Sequence, residues 1–196
     1  MKIYDISQEI FASEVYPGDP VPSKELLFSM EKGDLYNLSA FYMCAHNGTH
    51  VDAPSHFING GTGVGEIALE KTVGRAFVAE HYGIIGRKEA EDIIRKANAD
   101  DPESATRVLI KGGEISYEGA EAFKKMGVVL LGNEGQTVGP ADAPMATHKL
   151  LLLEGIVLLE GIRLGDVSEG VYLLVAAPLN LGGCDGAPCR AILIKE

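Results

Sequence analysis

The stretch Cys44-Ala-His-Asn-Gly-Thr-His-Val-Asp-Ala-Pro-Ser-His56 carries three of the chain's five histidines together with a carboxylate. His46, His50, Asp52 and His56 are separated from one another by even numbers of residues. Because side chains alternate between the two faces of an extended strand, this spacing predicts that all four project to the same side. The rest of the chain is interpreted as the scaffold that supports this cluster.

Neutral imidazole and carboxylate groups are ligands that suit zinc, manganese or iron better than calcium or magnesium. The sequence therefore predicts a divalent metal site, with His46, His50 and Asp52 as the ligands of tightest spacing. His56 is predicted to be an unligated general acid or base, since its ordinary pKa lies near neutral pH. Gly48 is expected to leave room for an ion or a substrate close to the backbone. A purely structural role for the cluster is the alternative.

Composition and charge limit the remaining possibilities. A chain of 196 residues predicts one domain, spanning 1–196. A net charge of −11 argues against nucleic acid or an anionic membrane as partner. The N-terminus lacks a basic segment followed by an apolar one, which predicts a cytoplasmic protein. The three cysteines, Cys44, Cys184 and Cys189, are interpreted as reduced thiols. Cys44 is interpreted as a small buried hydrophobic residue outside the site.

Strand-like and helix-like segments alternate along the chain, which predicts an α/β fold. Helices are predicted from about Arg87 to Ala97, after Ser116 as N-cap, and from Ala146 to Glu154. The predicted strands are 2–6, 38–44, 75–80, 107–111, 128–132, 156–159, 172–179 and a last one ending at Ile194. Asp185-Gly186 is predicted to form a hairpin turn, and Arg190 to have a structural role.

The pattern His46-x-Gly-Thr-His50-x-Asp52-x-Pro54-x-His56 resembles the signature of the cyclase family of metal-dependent hydrolases. His148 and Glu160 resemble the family's second ligand pair. Further similarity lies at the loop 132–140, where Glu134 and Thr137 match an acidic residue followed by Ser or Thr, and at the Asp-Gly-x-Pro-x-Arg-Ala segment 185–191.

The resemblance implies a single domain with a swivelling β/β/α-type fold that assembles as a homo-oligomer, a dimer or a tetramer. It implies one or two divalent ions, zinc or alternatively manganese. His46, His50 and Asp52 would hold the first ion, and Asp52 would bridge to a second one held by His148 and Glu160. With a single ion, this last pair would complete its ligand shell or orient its water, which gives Glu160 a catalytic role beside His56.

The resemblance also implies hydrolysis of a small-molecule amide, with N-formyl-kynurenine as substrate and tryptophan catabolism as the setting. The residues predicted to contact the substrate are Tyr16, Phe41, Tyr42, Phe57 and Gln136. One alternative is hydrolysis of a cyclic amide such as isatin, or a lactone-type cyclase reaction. Another is a metal-binding protein that has lost catalysis, although such a protein would need no spare base like His56.

Overall fold

A nine-stranded mixed sheet forms the centre of the fold in the computed structural model, which describes residues 1–140 and 144–195. The strand order is β1-β11-β9-β5-β6-β7-β8-β4-β10, and β2 and β3 form a separate two-stranded sheet. The strands are β1 Lys2–Asp5, β2 Ser23–Phe28, β3 Leu38–Tyr42, β4 His50–Asp52, β5 Val73–Ile85, β6 Arg107–Ile115, β7 Leu130–Asn133, β8 Val157–Glu160, β9 Gly170–Val175, β10 Gly186–Pro188 and β11 Ile192–Lys195.

Four neighbouring strands, β5 to β8, are parallel, and antiparallel strands β9 and β4 flank them. A short helix α1, Leu69–Thr72, precedes β5. The helices α2 Arg87–Asp100, α3 Tyr117–Lys125 and α4 Pro144–Leu153 connect successive parallel strands. Parallel strands need such crossovers, because the chain must return to the same edge before the next strand begins. The α/β prediction is confirmed, although β5 and β6 are both longer than predicted.

Alternate residues of the parallel strands supply two separate hydrophobic cores. Phe77 of β5 and Ile110 of β6 face the helices, where they join a cluster that includes Phe123 of α3. Val78 and Leu109, one residue away on the same strands, belong to a second cluster on the opposite face. The sheet is thus buried on both sides, as is usual for a parallel sheet.

Helices α2 and α3 follow the patterns from which they were predicted. The apolar face of α2 is Ala90, Ile93, Ile94 and Ala97, which are between 0% and 6% exposed. Ser116 is the N-cap of α3, and its Oγ accepts a hydrogen bond from the backbone N–H of Gly119 at 3.2 Å. In the described parts of the chain, no helix has both the length and the apolar character required to cross a membrane.

Gly119 lies where α3 packs against the end of β5. A Cβ at Gly119 would be 2.2 Å from the carbonyl oxygen of Ile85, a backbone atom that cannot turn aside. We expect Gly119→Ala to lower the free energy of unfolding by about 1–3 kcal/mol, measured by urea denaturation. Gly165→Ala is the matched control, since a Cβ there meets no atom within 4 Å. Equal unfolding midpoints for the two variants would contradict this packing.

The C-terminal segment holds the first strand in place. The guanidinium of Arg190 donates hydrogen bonds to both carboxylate oxygens of Asp5, at 2.9–3.0 Å from Nε. This ion pair is largely exposed, so Arg190→Ala is expected to cost less than about 1 kcal/mol of unfolding free energy in thermal or urea denaturation. A larger loss would show that Arg190 does more than secure β1.

Candidate metal centre

The segment from Cys44 to His56 is not one extended strand. Only His50–Asp52 is a strand, while residues 45–49 form a turn and Pro54–His56 a single 3-10 turn. Gly48 adopts φ +67°, and a Cβ there would lie 2.9 Å from Ile10 Cδ1. The predicted extended backbone is therefore wrong outside β4. The expected role of Gly48 is wrong as well. The position that a Cβ would take at Gly48 is filled by Ile10, and the positive φ of this glycine serves to turn the chain.

Strand pairing places the first group of candidate ligands. In the register of β4 with β8, His50 lies opposite Glu160. The Nε2 of His50 is 3.3 Å from Asp52 Oδ1 and 3.5 Å from Glu160 Oε2. His148, from α4, brings its Nε2 to 3.0 Å from Glu160 Oε1 and 3.9 Å from Asp52 Oδ2. All four side chains are buried, with at most 4% of the side chain exposed.

A second group lies on the other side of Asp52. His46 Nδ1 is 2.9 Å from Asp52 Oδ1, and His46 Nε2 is 2.9 Å from Asp185 Oδ2. The ring of His56 stacks on that of His46 with 3.9 Å between centroids, and its Nδ1 is 3.3 Å from Asp185 Oδ2. This group is closer to solvent than the first, since the side chains of His56 and Asp185 are 29% and 49% exposed.

Among the residues that the structure describes, two sets of three bring their ligand atoms within 4.8 Å of one another. They are His50, Asp52 and Glu160, and His46, Asp52 and His56. Asp52 is common to both, as expected of a residue that bridges two ions. The division differs from the sequence interpretation, which placed His46 with His50 and left His56 outside the ligand shell. His148 lies beside the first set, with its Nε2 3.0 Å from Glu160 Oε1, whereas the sequence interpretation placed His148 and Glu160 at an ion separate from that of His50.

The carboxylates dominate the electrostatics of the cluster. Burial alone would lower the pKa of His50, but Asp52 and Glu160 raise it to about 10. Burial would likewise raise the pKa of Asp52, yet the hydrogen bond with His46 and the nearby imidazole of His50 hold it well below its usual value. Burial lowers the pKa of His56, which favours its neutral form, the form that accepts a proton. In the metal-free chain, a proton on His50 thus helps to balance the buried carboxylates, while His56 tends to be neutral.

The donor set fits a divalent cation. Within the described residues, His50 Nε2 and Asp52 Oδ2 are buried and have no hydrogen-bond partner. An unsatisfied buried polar atom costs about 1–3 kcal/mol, so a native fold usually has a reason to keep one. A cation bound by these atoms would satisfy both. Because the ligands must lose their protons to bind it, metal binding should release protons.

The cluster opens into a cavity of about 460 Å³. Three of the five predicted substrate contacts, Tyr16, Phe57 and Gln136, line this cavity. The other two, Phe41 and Tyr42, lie on β3 at 64% and 62% exposed and are not part of its wall.

Two further residues of this region, Cys44 and Glu134, differ from what the sequence indicated. Cys44, expected to be a buried hydrophobic residue, is only partly buried and lines the cavity, with its Sγ 3.6 Å from Asp19 Oδ2. Thr137 also lines the cavity. Glu134 does not, and its Oε1 accepts a hydrogen bond from the backbone N–H of Leu164 at 2.8 Å.

Asp185 is the site residue that the sequence reasoning missed. The predicted hairpin turn at Asp185-Gly186 is wrong, because Gly186 begins β10 and pairs with Asp52, while the turn lies at residues 182–183. A Cβ at Gly186 would lie 2.7 Å from His46 Cε1, so glycine leaves space for that ring. The signal was the Asp-Gly-x-Pro-x-Arg-Ala segment itself, whose similarity to the family could have identified Asp185.

Comparison with known proteins follows the geometry. A family model described as "Putative cyclase" matches residues 4–140. The chain belongs to the cyclase family. Two of its relatives are each named kynurenine formamidase. That of Erythrobacter litoralis is 32% identical over 98% of this chain and 93% of the relative. That of Bacillus cereus strain ATCC 14579 is 32% identical over 96% of this chain and 95% of the relative.

Solved structures of other proteins share the cyclase-family fold. A structure described as a potential metal-dependent hydrolase with cyclase activity has a TM-score of 0.80 and 28% identity, and the match covers 98% of this chain and 96% of the other. Isatin hydrolase A from Labrenzia aggregata has a TM-score of 0.79 and 19% identity, with 100% and 94% covered. The fold implied by the sequence resemblance is thereby confirmed.

Asp185 is expected to position His46 and His56, the two histidines that contact its Oδ2. Asp185→Asn removes the charge while keeping the size, so His46 and His56 lose a partner that fixes their ring orientations. We expect kcat/KM to fall about 10- to 100-fold. The affinity for an ion bound beside His46 and Asp52 should fall by a similar factor. Chelator competition measures the second effect. Unchanged metal affinity and activity would show that Asp185 is only a neighbour.

Proposed function

We propose that this protein hydrolyses an aryl formamide, with N-formyl-kynurenine as the representative substrate and kynurenine and formate as products. The chain is an amidohydrolase enzyme, since relatives named kynurenine formamidase match it over nearly its full length. The observation that carries the proposal is the buried set His50, Asp52 and Glu160. Among the described residues, His50 Nε2 and Asp52 Oδ2 have no hydrogen-bond partner, and His50 and Glu160 line a cavity large enough for a small aromatic molecule.

The proposed ligands are the residues of the two groups. His50, Asp52, Glu160 and His148 would hold one ion, and His46 with Asp52 would hold a second where two are present. When bound, the metal lowers the pKa of a water molecule from 15.7 toward about 7 and polarises the scissile carbonyl, a contribution of several kcal/mol. Zinc is the proposed ion, with manganese as the alternative, because both accept this mixture of imidazole and carboxylate.

His56 is the proposed acid and base. It lines the cavity, is partly exposed, and has a pKa lowered by burial, so it can accept a proton near neutral pH. It would take a proton from the attacking water and return it to the nitrogen as the C–N bond breaks, which leaves formate and the free aryl amine. Asp185 would keep the imidazole of His56 oriented during both transfers.

Glu160 has a role in addition to binding metal. Its Oε1 accepts hydrogen bonds from the backbone N–H of Val138, at 2.8 Å, and lies 3.0 Å from His148 Nε2. These contacts fix the carboxylate, so that Oε2 remains directed toward His50. We propose that Glu160 positions the attacking water as well as the ion, and that Tyr16, Phe57 and Gln136 hold the aryl group above it.

The setting of the reaction is also part of the proposal. We propose a cytoplasmic homo-oligomer, a dimer or a tetramer, that acts in tryptophan catabolism without a nucleic-acid or membrane partner. Phe41 and Tyr42 would then reach a substrate only by way of a neighbouring subunit, because they do not line the cavity of their own chain. Light scattering on the purified protein measures the number of subunits.

The test of the proposed reaction is a substrate panel. The purified, metal-loaded protein is given N-formyl-kynurenine, formanilide and isatin, and release of the aryl amine or ring opening is followed by absorbance. We expect both formamides to be cleaved and isatin to be cleaved more slowly or not at all. Turnover of isatin alone would replace the proposed reaction with cyclic amide hydrolysis.

A further inference from the structure

A second cavity adjoins the candidate active site. It has a volume of about 610 Å³ and shares Tyr16, Gln136 and Thr137 with the first. The two cavities are therefore adjacent, and a substrate that extends from the metal ligands past these three residues would reach the second cavity. We call the first the inner cavity and the second the outer cavity.

The outer cavity is acidic. Its wall contains the carboxylates Glu14, Glu114 and Glu134. Asp19 adds a carboxylate to the inner cavity, outside the proposed ligands. Of the residues that the structure describes, no Lys or Arg lines either cavity, and the sequence has none at positions 141–143 or 196.

Two cations near this region are engaged by other groups. Arg163 donates to the backbone oxygen of Glu134 and to Gln8 Oε1. Lys111 donates to the backbone oxygens of Gly165 and Val167. Neither side chain forms part of the cavity walls, so neither is placed to pair directly with a carboxylate group of a ligand there.

A buried acceptor independently indicates a ligand with N–H donors. Asn133 lines the outer cavity and is 1% exposed. Its Nδ2 donates to the backbone oxygen of Thr137, which fixes the orientation of the amide. Among the described residues its Oδ1 has no hydrogen-bond partner. A buried carbonyl oxygen without a donor is unusual in a native protein, and an ammonium group in the cavity would supply one.

We infer that the outer cavity binds an ammonium group and disfavours a carboxylate, so that the preferred substrate is an aryl formamide with a cationic amine side chain. This inference rests on the proposed function for the position of the amide, and it adds the charge of the remainder of the molecule. Kynurenine carries both an ammonium and a carboxylate group. Its decarboxylated form, kynurenamine, carries the ammonium alone and is the better match to these walls.

The first test is binding, which does not require turnover. Kynurenine and kynurenamine are titrated separately into the metal-loaded protein by calorimetry. We expect kynurenamine to bind about tenfold more tightly, with a preference that shrinks as ionic strength rises, because the carboxylates are largely exposed. Equal or tighter binding of kynurenine would overturn the inference.

Variants then locate the preference in the outer cavity. Glu14→Gln combined with Glu114→Gln is expected to weaken kynurenamine binding about three- to tenfold while leaving kynurenine binding nearly unchanged. Glu91→Gln is the matched control, since Glu91 is an exposed residue of α2 that lines neither cavity. A preference for kynurenamine that survives the double substitution undiminished would overturn the assignment to these carboxylates.

Turnover separates this inference from the proposed function. N-formyl-kynurenamine should have a higher kcat/KM than N-formyl-kynurenine. If N-formyl-kynurenine is cleaved with the higher kcat/KM, the charge preference fails and the proposed reaction stands. If neither formamide is cleaved but kynurenamine still binds more tightly than kynurenine, the proposed reaction fails and the charge preference stands.

Discussion

Asp52→Asn is expected to lower kcat/KM by about 1000-fold or more, because it removes the only carboxylate common to both candidate ligand sets. Asparagine has nearly the same size, so the loss would come from charge rather than from packing. The side chain is buried, and its Oδ2 has no hydrogen-bond partner within the described residues. An amide at this position cannot neutralise the cation of either ligand set.

Two measurements separate this loss from misfolding. Metal content by elemental analysis should fall in Asp52→Asn, while far-ultraviolet circular dichroism remains that of the folded protein. Asp166→Asn is the control, because Asp166 is exposed and lies outside the cavity walls. An Asp52→Asn protein that keeps full metal content and full turnover would exclude Asp52 as a ligand.

His56→Ala is expected to lower kcat by about 100- to 10,000-fold, the range for loss of a general acid or base. The value of KM should change little, since His56 is proposed to move a proton rather than to hold the substrate. The bound metal should remain, because His50, Asp52, Glu160 and His148 form the more buried group.

Metal content decides between the two roles open to His56. Its position beside His46 and Asp52 also fits a ligand of the second ion, the one assigned to those two residues. If His56→Ala loses one equivalent of metal along with its activity, His56 is a ligand. If both metal and turnover are unaffected, the proposed proton transfer is excluded. His81→Ala is the matched control, since His81 lies on β5 away from the cavity walls.

Local patterns in the sequence were sufficient for the three longer helices and for the main strands, but not for the short helix α1. The spacing of Ala90, Ile93, Ile94 and Ala97 predicted the buried face of α2, and Ser116 predicted the start of α3. These features depend on neighbours three or four residues away, which a sequence shows directly. The pairing of β4 between β8 and β10 depends on distant segments, so no local pattern indicated it.

The candidate site shows the same division. The spacing of the histidines correctly indicated a cluster around Asp52, but for the wrong reason, since the turn at Gly48 and the 3-10 turn at His56 bring the rings together. His148 and Glu160 were identified through family resemblance, and strand register explains why Glu160 faces His50. Asp185 was missed because an Asp-Gly pair also suits a tight turn. Only the packed structure distinguishes a turn residue from one that contacts the histidines of the site.

The most direct test of the central claim is turnover as a function of bound metal. The protein is stripped with a chelator and titrated separately with zinc and with manganese, while N-formyl-kynurenine hydrolysis and metal content are measured on the same samples. We predict no turnover in the stripped protein, and activity that rises in proportion to bound ion up to one or two equivalents per chain. Full activity in the metal-free protein, or stoichiometric metal binding without cleavage of any formamide, would contradict the account.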